Sequence, residues 1–149
     1  MSTPRVWTFF YGSYINLDVL KEVDLVPERV ERATLAGFDI RIAPRANLIR
    51  SETHSVYGIL ATATHAELAR LYVHSKDVLG ETYLPEAVLA RTSAGDYRPT
   101  LCYISPEMAP RPAEAAYVNR IVVAARQFQF ADEYIARLLA FAPGAKGDS

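Results

Sequence analysis

Only one cysteine, Cys102, occurs in the chain, so no disulfide can form within it, and its apolar surroundings mark it as a small core residue. Histidine is scarce too. His54, His65 and His74 show no ligand spacing, such as a pair four apart on one helix, and read as surface or loop residues; no metal site is expected. There is no Gly-x-Ser-x-Gly elbow to present a serine nucleophile. Charge of one sign is also missing. Sixteen Lys and Arg stand against seventeen Asp and Glu, a net charge of -1 with no basic stripe, which argues against nucleic acid as a partner. No window approaches the length of a membrane-spanning helix, and no charged segment followed by a long apolar run opens the chain, so no membrane partner and a cytoplasmic location are the expectations.

What is present fits a globular chain of 149 residues, half of them hydrophobic and 22% charged. One domain over 1–142 is expected, followed by a small, polar, flexible tail over 143–149. The most informative stretch runs from Thr8 through Tyr11, Gly12, Ser13 and Tyr14 to Asn16. It reads as a buried strand over 5–11 that breaks at a Tyr-Gly-Ser turn and feeds a helix over 16–23 capped by Asn16. Such a turn leaves backbone N–H groups free at a helix start, where a carboxylate or an oxyanion can be held.

Further along, Phe38, Ile40 and Ile42 alternate with Asp39 and Arg41 as a half-buried strand. A polar loop is expected over 44–53 and another strand over 55–61, with Gly58 marking a bulge or the close approach of a neighbouring backbone. Thr64 and Glu67 form a capping box for a helix that should end near His74. Segments 83–90 and 97–104 read as a hairpin, with Pro85 and Pro99 at sheet edges. Two helices close the chain. Tyr117, Ile121 and Ala125 line a face of the first; Tyr134, Leu138 and Phe141 lie on one side of the second, over 131–141. The order β-α-β-β-α-β-β-α-α suggests a curled or closed mixed sheet with helices outside, an α+β architecture.

In this order the chain resembles the γ-glutamylcyclotransferase-like (AIG2-like) family, over about nine-tenths of its length. The resemblance rests on Tyr11-Gly12-Ser13, on the tracts 36–40, 46–49 and 56–60, and on the closing pair of helices around Tyr117, Ile121, Ala125 and Glu133-Tyr134-Ile135. It implies a small mixed β-barrel flanked by helices, with a cavity at the Tyr-Gly-Ser turn and no cofactor. It also implies a reaction: the substrate's own α-amino group attacks its γ-carbonyl, releasing 5-oxoproline and an amine from a γ-glutamyl-amine, amino acid or peptide. Ring closure within one molecule gains effective molarities of roughly 10⁵–10⁸ M when the geometry is held. One carboxylate tuned toward neutrality can take the ammonium proton and return a proton to the leaving amine. Carried over by position, Tyr11, Gly12, Ser13 and the amide of Tyr14 would bind substrate, and Tyr83, Tyr103 and Tyr117 would wall the pocket.

One departure matters. The family's glutamate belongs in a Leu-Asp-x-x-Glu-Gly block before the tyrosine-led strand. Here that position holds Ser75 when counted from Leu71, and Lys76 or a residue near Gly80 when counted back from Tyr83. Glu81, two residues before Tyr83, is the favoured replacement as acid/base, with Asp77 and Glu86 as alternatives. Two functions therefore stand: a cyclotransferase acting on a small γ-glutamyl substrate, or the same fold without its carboxylate, binding a small acidic ligand. A homodimer is left open.

Overall fold

Two unusually long strands organise the molecule. The computed structural model describes residues 3–143. In chain order the elements are β1 (Arg5–Phe10), a 3-10 turn (Ser13–Ile15), α1 (Leu17–Glu22), β2 (Val30–Ile42), β3 (Ala46–Thr64), α2 (His65–Asp77), β4 (Leu84–Thr92), β5 (Tyr97–Ile104), α3 (Ala115–Gln127) and α4 (Asp132–Leu139). The strands close into a barrel in the order β1-β3-β2-β4-β5. Every neighbouring pair is antiparallel except the closing one, where β1 runs parallel to β5 with Thr8 opposite Leu101 and Phe9 opposite Cys102. The expected α+β barrel with flanking helices is the observed architecture.

The β2–β3 hairpin corrects the sequence reading. Residues 44–53, expected as a loop, supply the first part of β3 from Ala46 onward, and β2 begins at Val30. The pairing runs from Ile42 opposite Ala46 to Val30 opposite Ala61. The side chains of Arg50 and Ser55 stay in solvent while their backbones pair with Phe38 and Ala36 of β2, so ladder formation overrides local polarity. The register shifts between Ala36 and Phe38, and Gly37 there has φ +90°, the left-handed conformation a glycine bulge uses.

Gly58 meets the expectation of close approach. A Cβ on it would lie 2.3 Å from the Phe10 carbonyl oxygen and 2.6 Å from the Phe9 ring, so β1 can pack against β3 only over a bare backbone. The prolines also sit where the ladder allows them. β4 meets β2 only at Arg91 and Thr92, and β5 meets β1 only at Leu101 and Cys102, which leaves Pro85 and Pro99 without a second neighbour. The capping box of α2 is formed: Thr64 N–H donates to Glu67 Oε1 at 2.8 Å, and Glu67 N–H donates to Thr64 Oγ1 at 3.1 Å. α2 continues past His74 to Asp77, with the Ser75 hydroxyl donating back to the Leu71 carbonyl at 2.9 Å.

Tyr117, Val118, Ile121, Val122 and Ala125 of α3 are buried, as are Tyr134, Ile135 and Leu138 of α4. Cys102 is fully buried inside β5, and burial pushes its thiol up to about 12. The tail expected over 143–149 lies, from residue 144 on, outside the described residues.

Candidate active site

Gly12 begins the site, and what it needs is space rather than an unusual φ. Its φ is -107°, but a Cβ on it would stand 2.5 Å from the Cβ of Ala46, the first residue of β3. Only a glycine lets the end of β1 lie against the β2–β3 turn. The chain then makes a 3-10 turn, with Ile15 N–H donating to the Gly12 carbonyl and Asn16 N–H to the Ser13 carbonyl, each at 3.0 Å. Asn16 caps α1 by accepting from Asp18 N–H at 3.0 Å. The helix expected directly after the turn is therefore preceded by a turn of 3-10 helix. The amides nearest the turn are those of Ser13 and Tyr14, not those of an α-helix start.

A cavity of about 20 Å³ lies behind this turn. Its wall includes Tyr11, Gly12, Ser13, Tyr14, Ala46, Leu79, Tyr83, Tyr103 and Tyr117. All six substrate-binding residues expected from the sequence thus meet at one place, with Tyr103 beside them. The room is that of a single water molecule. Phenols organise the interior. Tyr117 Oη accepts from Ala46 N–H at 2.9 Å, and Tyr83 Oη donates to the Ala46 carbonyl at 2.5 Å, so two tyrosines hold both ends of one residue's backbone. Tyr11 donates to the carbonyl of Tyr103. Burial raises the pKa values of Tyr11, Tyr14, Tyr83, Tyr103 and Tyr117 above the ordinary phenol value, with the Ala46 hydrogen bond pulling Tyr117 the other way, and all five stay neutral near pH 7. Among the described residues, Ser13 Oγ, Tyr103 Oη and Thr8 Oγ1 are buried without a hydrogen bond of good geometry, although the Tyr117 phenol lies beside Ser13 and Tyr72 and Thr8 lie beside Tyr103. Buried unpaired hydroxyls are uncommon, and Ser13 and Tyr103 both lie on the cavity wall.

Arg45 closes one side. Its Nε donates to the Leu79 carbonyl at 3.0 Å and its guanidinium stacks on the Tyr117 ring, 4.7 Å from the centroid. This links the β2–β3 turn to the loop after α2.

No carboxylate of the described residues lies on the cavity wall. Glu81 is mostly shielded, its side chain 12% exposed, but it faces a separate depression with Thr82, Ser105 and Glu107, 3.7 Å from Arg111. Its own N–H donates to the Ser75 carbonyl at 3.1 Å. Asp77 is exposed at the end of α2, and Glu86 pairs with Arg50 at 3.0 Å. Ser75, by contrast, is buried and reaches the site: its Oγ lies 2.8 Å from Tyr14 Oη. His74 Nδ1 lies 3.0 Å from the same phenol oxygen. His74 is therefore no loop residue but half-buried on α2 and bonded to a wall tyrosine, which the sequence reading missed. The usable signal was its place next to Ser75, one step from where the family resemblance puts its glutamate. Nothing in the sequence pointed to Arg45, and Ala46 entered only as the start of the tract 46–49, with no part in the site. No cluster of three or more His, Cys, Asp or Glu side chains suited to a metal occurs among the described residues.

No family model matches the sequence, and no curated protein matches it. Solved structures do. A γ-glutamyl cyclotransferase superposes with a TM-score of 0.76 at 18% identity, covering 92% of this chain and 88% of that one. An uncharacterised protein from Homo sapiens gives 0.75 at 19% identity, covering 91% and 87%. A glutathione-specific γ-glutamyl cyclotransferase from yeast gives 0.65 at 17% identity, covering 94% and 96%. The chain has the γ-glutamylcyclotransferase-like fold. No helix among the described residues is long and apolar enough to cross a membrane.

Proposed function

We propose that this chain is a cyclotransferase-type enzyme that releases 5-oxoproline and an amine from a small γ-glutamyl compound at the Tyr11-Gly12-Ser13 turn. The observation that carries this reading is the convergence of the turn and four further tyrosines on one small cavity, with the Ser13 hydroxyl buried on its wall and without a hydrogen bond of good geometry. Ser13 and the neighbouring amide of Tyr14 would receive the substrate carboxylate or the oxyanion of the tetrahedral intermediate. Tyr11, Tyr83 and Tyr117 would shape the walls so that the γ-glutamyl chain folds back on itself. A substrate needs more room than this cavity of about 20 Å³ offers, so its wall must open to admit one. Glu81 serves as acid/base only if it leaves Arg111 and turns inward. The test is release of 5-oxoproline by the purified chain from a panel of γ-glutamyl amides, γ-glutamyl-alanine and glutathione among them. Turnover of none sinks this reading.

A second reading has its own support. Ser75 stands where the family resemblance asks for a glutamate, and it is buried and engaged with Tyr14 and Leu71. On that reading the pocket binds a small acidic molecule without cyclising it. A rise in unfolding temperature with glutamate, 5-oxoproline or a γ-glutamyl amide, without any turnover, would select it.

A further inference from the structure

The carboxylate missing from the cavity wall leaves an acid–base question, and one cluster of titratable groups touches that wall. Tyr14 lines the cavity, and its phenol oxygen lies 3.0 Å from His74 Nδ1 and 2.8 Å from Ser75 Oγ. Ser75 Oγ also lies 2.9 Å from the Leu71 carbonyl, so its hydroxyl can donate to that carbonyl or to the Tyr14 oxygen, and the single phenol proton is left for His74 when Ser75 donates to Tyr14. The imidazole packs edge-on against the Tyr14 ring, with centroids 5.9 Å apart. Resting on the cyclotransferase reading above, the geometry points to a proton relay in which Tyr14 is the group that exchanges a proton with the substrate and His74 is the positioning residue that stores it.

The step balances. With His74 Nδ1 unprotonated, Tyr14 donates to it. One proton of the substrate's α-ammonium passes to the Tyr14 oxygen as the phenol's own proton moves to His74. The freed amine attacks the γ-carbonyl carbon and the ring C–N bond forms. A second proton moves from the ring nitrogen to the leaving nitrogen, the old γ C–N bond breaks, and the relay returns its stored proton. The products are 5-oxoproline and a protonated amine, and Tyr14 and His74 end as they began.

The groups facing His74 suit storage of a proton at neutral pH. Tyr14 meets it from the 3-10 turn, Glu22 from the end of α1, and Arg120 from α3, the last two paired with each other. Burial lowers its pKa from the ordinary imidazole value, Glu22 opposes that and Arg120 adds to it, so the ring is neutral near pH 7. Tyr14 alone, a buried phenol, is a poor base; the imidazole behind it supplies the acceptor.

The experiment is steady-state 5-oxoproline release by the intact chain against pH, using whichever amide of the panel is turned over. Tyr14→Phe, which keeps the ring, should lower kcat by about 10²–10⁴-fold, the range of a lost general acid–base group, with the unfolding temperature little changed. His74→Gln should lower kcat by about tenfold or more and erase the acidic limb of the kcat/KM profile, which a structural role alone would leave in place. The relay is overturned if Tyr14→Phe keeps wild-type kcat, if His74→Gln retains the acidic limb, or if Glu81→Gln abolishes turnover while Tyr14→Phe does not. A wild-type chain inactive on the whole panel brings down the cyclotransferase reading and the relay together, a result distinct from active wild type with unaffected variants.

Discussion

Gly12 and Ala46 approach so closely that a methyl group on the glycine would stand 2.5 Å from the alanine's own methyl carbon. This contact joins the end of β1 to the start of β3 and defines the floor of the cavity. Neither partner is the far end of a flexible side chain, so relief requires backbone movement. Gly12→Ala should destabilise the fold by about 1–3 kcal/mol, as overpacking of a close-packed site does. It should also remove any ligand-induced stabilisation at the turn. Denaturant unfolding with and without glutamate reads both effects, and an unchanged midpoint would contradict the contact.

Gly58→Ala should be worse. The added Cβ would meet a backbone oxygen, that of Phe10, at 2.3 Å and the Phe9 ring at 2.6 Å. Gly58 pairs with Ala33 of β2 and precedes Ile59, the partner of Phe10, at the end of the β1–β3 ladder, so the collision falls where the two ladders meet. The expected outcome is a chain that does not fold into a soluble barrel, read by circular dichroism and gel filtration against Gly12→Ala.

The two phenols on Ala46 should behave as a coupled pair. Tyr117→Phe strips the Ala46 N–H of its acceptor, and a buried donor left unpaired costs about 1–3 kcal/mol. Tyr83→Phe removes the donor to the Ala46 carbonyl. Because both act on one residue's backbone, their effects should not add, and a double-mutant cycle on unfolding free energy should show a coupling of about 0.5 kcal/mol or more. Strict additivity would mean that the two bonds do not share a positional constraint.

Acid should weaken the protein partly through Glu67. Burial alone would raise the pKa of its carboxyl, but N–H donors from Thr64 and Val26, each at 2.8 Å, and Arg5 together hold it below the usual carboxylate value. A carboxyl that ionises more easily folded than unfolded adds stability above its unfolded value of about 4.3, and loses it as pH falls through the lower folded value. Unfolding free energy measured from about pH 6 down to about pH 3 should therefore decline, and Glu67→Gln should be less stable near neutrality with a shallower decline. A parallel pair of curves would remove Glu67 as the cause.

Much of the architecture could be read along the chain because it rests on local signals. The Thr64–Glu67 capping box, the Asn16 cap, the apolar face of Tyr117, Ile121 and Ala125, and the bare backbone at Gly58 all act through residues a few positions apart or through the lack of a side chain. The first half of β3 was not readable in this way. Ala46 to Arg50 look like a loop in isolation and become strand because Phe38 to Ile42 of β2 lie alongside to pair with them. The phenols followed the same division: that Tyr11, Tyr83 and Tyr117 belong to one site could be inferred, whereas their hydrogen bonds to Tyr103 and Ala46 could not.

By itself the amino-acid order determined the sequence of strands and helices, the glycines at tight places, and the want of a glutamate in the expected block, since these depend on spacing and residue type. Which acidic or basic groups reach the cavity was decided only when the barrel closed. Glu81 and His74 lie seven positions apart, yet the loop between them turns one toward Arg111 and leaves the other against Tyr14. The direction a side chain faces is set by packing between distant elements, and no local pattern encodes it.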